Sequence, residues 1–194
     1  MIPVLILALA LCLPGLAQST QSVPAKRKYK YPGKIESTYD KFKDETMVFF
    51  KLMPITAGAN LEWEGTTIVS DERLDLLMYF AYSGQTLATP KWVGIGIASS
   101  IYEPKQYGDY TLTIVCDKQP IHVGKMIVHD RGEIRYAPRR PTVKIQRLEA
   151  SIPYEQFLSI ANARKVKLRI GHKEFPLDPQ NLEAIRDLAS RTAP

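Results

Sequence analysis

Cysteine is scarce: the 194 residues hold two, Cys12 and Cys116, too few for a disulfide scaffold. Only three histidines are present. His122 and His129 are seven apart, so on one continuous strand they point to opposite faces and could not share a metal, while His172 falls in a turn. Glycine is sparse as well, and Gly94-Ile95-Gly96 lacks both a third glycine and a following helix. That excludes a nucleotide-binding turn. Ser99-Ser100 has no glycine-framed elbow, and Glu62 with Glu64 share one strand face without a partner set. No repeat or low-complexity tract is visible, and no pattern calls for a cofactor.

Long apolar runs are missing too, except at the start. Ile2 to Leu13 is almost wholly aliphatic and is followed by Pro14-Gly15-Leu16-Ala17-Gln18. A short apolar core, a helix breaker and a small-x-small site describe a secretory signal peptide spanning 1–17 and cut after Ala17. The run falls short of the ~20 residues of a transmembrane helix, so no spanning segment is expected after cleavage. From 18 to 34, prolines and bases without apolar periodicity read as a disordered basic linker, and 35–194 as a single β-rich domain.

Base exceeds acid, 26 Lys and Arg against 20 Asp and Glu, a formal charge of +6. Much of the excess sits in Lys26-Arg27-Lys28-Tyr29-Lys30 and between Arg135 and Arg147, which includes Arg139 and Arg140. On an exported chain this balance points to an anionic lipid surface, a wall polymer or a protein partner, and away from nucleic acid.

The middle of the chain alternates. Thr46 to Leu52 is β-branched and aromatic and should be a strand ended by Pro54, with Ala57 to Asn60 as loop. Arg73 to Tyr82 is apolar on both sides, as in a strand buried between layers. In Trp92 to Ser99, tiny residues alternate with aliphatic ones, leaving room for another backbone over Gly94 and Gly96. Tyr102 to Gly108 reads as loop, Tyr110 to Cys116 and Ile121 to Val128 as a hairpin, and Asp130-Arg131-Gly132 as a turn before strands at 134–136 and 143–150. Strands at intervals of about 8–12 residues argue for an antiparallel sandwich or curled sheet.

The C-terminal stretch is the clearest. Pro153 suits a first helical turn, with Tyr154, Phe157, Ile160 and Ala161 at helical spacing behind it. Lys165 to Ile170 alternates charge with aliphatic, Gly171-His172-Lys173 turns, and Pro176 confines the returning strand to an edge. Asp178 and Pro179 then open a helix whose stripe is Leu182, Ile185, Leu188 and Ala189. The fold class is therefore mainly β with two C-terminal helices (α+β).

This tail also carries a resemblance. Phe157 to Val166, Ile170 to Leu177 and Leu182 to Arg191, together with Tyr39-Asp40-Lys41-Phe42-Lys43-Asp44-Glu45-Thr46, resemble a group of exported bacterial proteins with no assigned activity. The resemblance implies export and a single domain, and it brings no catalytic residues.

Two kinds of site are worth weighing. Trp63, Trp92, Tyr102 and Tyr107 lie in or beside Gly- and Pro-containing loops, where exposed rings stack on sugars or meet partners, and Arg139 and Arg140 could add charge. The alternative is a small hydrolase in which Cys116 and His122 meet across their hairpin. The expected function is an exported cell-envelope binding or structural module acting without cofactor or metal, secreted or periplasmic.

Overall fold

The computed structural model describes residues 35–50, 52–56, 60–63, 66–69, 73–102, 109–135 and 142–192. In chain order the elements are β1 (Ile35–Asp40), β2 (Glu45–Phe50), β3 (Met53–Thr56), β4 (Asn60–Trp63), β5 (Thr66–Val69), β6 (Arg73–Ser83) and β7 (Trp92–Tyr102). There follow β8 (Thr111–Cys116), β9 (Gln119–Lys125), β10 (Ile127–Arg135), β11 (Thr142–Pro153), α1 (Tyr154–Asn162), β12 (Val166–Ile170), β13 (Lys173–Pro176) and α2 (Pro179–Ala189). The fold is mainly β, with antiparallel sheets in two layers and both helices at the C-terminal end.

The larger sheet has the order β1-β2-β6-β7-β11-β10, with β3 beside β6, and the smaller is β13-β12-β8-β9. A separate ribbon pairs β4 with β5. Alternation along each strand sends one set of side chains inward. Leu74, Leu76, Met78 and Phe80 of β6, with Val93, Ile95 and Ile97 of β7, form the floor of the core. Leu112, Ile114, Leu168 and Ile170 of the smaller sheet belong to the same cluster, as do Phe157, Ile160, Ile185 and Leu188 of the helices.

Helix α2 begins where its sequence directs. Asp178 accepts from the Asn181 backbone N–H at 2.7 Å, and the Asn181 side chain accepts from the Asp178 N–H at 3.2 Å, a reciprocal cap that satisfies two otherwise free donors. Asn181 Nδ2 also donates to the Pro54 carbonyl at 3.3 Å, fastening the cap to β3. Asp178→Ala should cost about 1 kcal/mol. An unchanged thermal midpoint would show that this side chain does not hold the helix start.

Several expectations from the sequence are corrected. Pro54 does not end a strand but lies within β3, which among the described residues pairs only with β6, so its missing N–H breaks no second ladder there. Asn60 opens β4 instead of closing a loop. Asp130 to Gly132 is not a turn: β10 runs through it with a bulge, where Gly132 takes φ 108° and its N–H bonds Asp130 Oδ1 at 3.1 Å. Nor is β6 buried on both sides. Leu77, Tyr79 and Ala81 are half-buried, and Asp75 shares their face.

The segment holding His122 and His129 is also not one strand. It leaves the smaller sheet after Lys125, passes through buried Met126, and enters the larger sheet at Ile127. The two histidines therefore belong to different sheets.

Candidate functional site

The inner face of the larger sheet is spent on the core, which leaves its outer face. Pairing register places Phe49, Tyr79, Gly94 and Ser151 in one row across β2, β6, β7 and β11. Leu77, Gly96, Glu149 and Ile127 form the next row. Asp75, Ala98, Arg147 and His129 form the row beyond it. Trp92 lies two residues before Gly94 in β7, and so on this face as well.

Tyr79 is the centre of the face. A Cβ on Gly94 would lie 2.3 Å from the Tyr79 ring, so the ring rests directly on the glycine backbone. The space over Gly94 is thus filled by a cross-strand ring, and not by a second backbone as the alternation of small residues suggested. Gly96 is roofed similarly by Leu77 and the Arg147 Nε, at 3.5 and 3.7 Å from its would-be Cβ.

A depression opens on each side of Tyr79. One, about 590 Å³, is lined by Met47, Phe49, Leu52, Leu77, Tyr79 and Arg147. The other, about 600 Å³, is bounded by Tyr79, Tyr82, Pro90, Lys91, Trp92 and Ser151. Leu52 is 54% exposed and Trp92 57%, so these are open surfaces and not sealed cavities.

The β10–β11 side of the face is charged. Glu149 is held between two bases, with Arg147 Nε 2.5 Å from one carboxylate oxygen and His129 Nε2 3.0 Å from the other. On β6, in the same row as Arg147 and His129, Asp75 pairs with Arg73 at 2.9 Å. An apolar, aromatic half beside a polar half matches a molecule or segment with the same two-sided character.

The Cys116 and His122 pair is not assembled. Gln119 and Ile121 stand opposite Cys116 and Ile114, whereas His122 stands opposite Thr113, on the other face of the hairpin. Cys116 is buried, and burial, with the Asp117 charge adding to it, pushes its thiol up to about 11. At neutral pH it stays protonated, which is the wrong state for a nucleophile. Among the described residues, no group of three or more His, Cys, Asp or Glu could hold a metal.

Of the aromatics singled out in the sequence, Trp92 lines the second depression. Trp63 and Tyr102 end β4 and β7, opposite Thr66 and Val143. Tyr107, Arg139 and Arg140 lie outside the described residues, as do the basic cluster at 26–30 and the leader at 1–17.

No family model, curated protein or solved structure matches this chain. Its site is read from its own geometry.

Sequence reasoning missed Tyr79, Leu77, Phe49 and Arg147. The signal for the first was present, because a tyrosine and a glycine in neighbouring strands form a favourable pair once their register is known. Register, however, is not a local property.

Proposed function

We propose that the protein is a non-catalytic binding module of the cell envelope, which receives an amphiphilic ligand or partner segment on the outer face of its larger sheet. The observation that carries this reading is the open aromatic and aliphatic surface around Tyr79, continuous on one side with Trp92 and bordered on the other by Arg147, Glu149 and His129. Such a surface exposes apolar area to water unless something covers it. The apolar leader, the surplus of base and the resemblance to exported proteins favour the envelope as its place of work. No helix of the described residues is long and apolar enough to cross a membrane.

The test uses N-phenylnaphthylamine, an apolar dye whose emission rises when it leaves water. Wild-type protein should bind and brighten it. Leu77→Asp places a charge on the floor of the first depression and should weaken the dye by at least about tenfold, the equivalent of losing one well-buried leucine contact. Equal titrations for both proteins would remove this face as the binding site.

A further inference from the structure

The hairpin between β1 and β2 carries the most exposed large apolar side chain among the described residues. Phe42 is 93% accessible, at the tip of a turn whose other members are Lys41, Lys43 and Asp44. Nothing about this turn is loose. Asp40 Oδ1 accepts from the Phe42 N–H at 2.9 Å and the Lys43 N–H at 3.3 Å, fixing the bend from its own first residue. Asp44 takes a left-handed φ of 49° and accepts from the Tyr39 hydroxyl at 2.9 Å, while its carbonyl accepts from the Gly84 N–H at 2.7 Å. The tip is therefore braced against the β6–β7 connection.

Other exposed apolar groups gather at the same end of the sheet. The Glu45–Ser83 pairing places the β1–β2 tip beside the connection from Gly84 to Lys91, which carries Leu87 and leads into Trp92. Tyr39 is 38% exposed, Leu87 40% and Trp92 57%. Lys41, Lys43 and Lys91 are exposed among them. The carboxylates of Asp40 and Asp44 are turned back into the hydrogen bonds of the turn, and Glu45 is half-buried.

We infer that this end of the sheet docks on a lipid bilayer, with Phe42 as the side chain that enters the boundary between headgroups and acyl chains. A lone ring on a convex tip fills no pocket, and a bilayer requires none. Tyr and Trp rings beside it suit the headgroup level, and lysines flanking an inserted ring can keep their ammonium groups among lipid phosphates while their stems lie along the apolar layer. Lys41 Nζ already lies 5.9 Å from the Phe42 ring centroid. One ring gives weak, reversible partition, and the exposed Lys41, Lys43 and Lys91 at the same end of the sheet add attraction to anionic headgroups. The inference rests on the envelope reading above; its inserting side chain, Phe42, lies outside the sheet-face site, and the two surfaces meet at Lys91 and Trp92.

The experiment compares the full chain with Phe42→Ala and Phe42→Trp on vesicles of phosphatidylcholine containing about one third phosphatidylglycerol, a typical anionic fraction. Phe42 makes no core contact, so neither variant should disturb folding. Partition of Phe42→Ala should fall about tenfold. In Phe42→Trp, the emission added over wild type should shift to the blue on vesicle binding and be quenched by brominated acyl chains. Equal sedimentation of wild type and Phe42→Ala, or no sedimentation of either, would overturn the inference. So would added emission that stays that of a water-exposed indole. A blue shift on concentrating the protein without vesicles would assign the tip to a second copy of the chain instead. Leu77→Asp should leave the vesicle quenching of Phe42→Trp unchanged, so failure of the docking tip and failure of the sheet-face site can be told apart.

Discussion

Replacing Phe157 with alanine should destabilise the fold by about 3–5 kcal/mol, the usual cost of emptying a fully enclosed aromatic site. Phe157 is wholly buried in α1, its ring 6.0 Å from that of Tyr154. Helix α1 has nine residues and no side-chain cap at its start, too short to persist by itself, so its place depends on this packing. For a domain of this size, the loss corresponds to a fall in Tm on the order of 10 °C. Circular dichroism through a thermal ramp would measure it, and a shift below about 3 °C would mean that α1 is not seated in the core.

The second large effect concerns the other end of the same helix. Arg186 of α2 donates from Nε to the Ala161 carbonyl at 3.0 Å and from Nη2 to the Ala163 carbonyl at 2.8 Å. These groups lie at the end of α1, where carbonyls lack partners within the helix. One guanidinium thus closes one helix and ties it to the next. Arg186→Met should cost about 2–3 kcal/mol, because two carbonyls lose charge-assisted bonds. Arg186→Lys should recover little, since an ammonium is a point donor that cannot span the two acceptors as the planar fork does. Urea midpoints with an unchanged m-value would report both. A lysine variant as stable as wild type would show that positive charge near the helix end matters and the fork does not.

The C-terminal stretch was legible in the sequence because its instructions are local. Asp178, Pro179 and the Leu182, Ile185 and Leu188 spacing lie within three turns of one another, and the structure has the cap and the stripe as those residues require. Pro176 likewise ends up in β13, which among the described residues pairs only with β12. Even here a non-local role escaped, for Arg186 lies off the apolar stripe and nothing beside it in the sequence says that the end of α1 is its partner.

Farther back, the readings that failed depended on how strands were aligned. The turn at Asp117-Lys118 sets Cys116 opposite Gln119, and that register, unbroken as far as Thr113 and His122, puts His122 on the other face from Cys116. Met126 carries the chain from one sheet to the other without a proline or a turn residue at the crossing, so alternation seemed to continue unbroken from Ile121 to Val128. Tyr79 over Gly94 unites residues fifteen apart in sequence, and neither position is unusual alone. The Phe42 tip was a different omission. Asp40 and Asp44 bracket a turn in plain sight, but nothing in the sequence says that the phenylalanine between them is left uncovered.

The order in which the elements arrive has a consequence for how the polypeptide can be made. Strand β8 finds one of its two neighbours, β12, only after the whole of β9, β10, β11 and α1 has been synthesised, and α2 supplies the final part of the buried cluster. An emerging chain therefore lacks the means to seal its interior until the segment from Val166 onward has left the ribosome. Until then the inner face of the larger sheet lacks part of the layer that covers it.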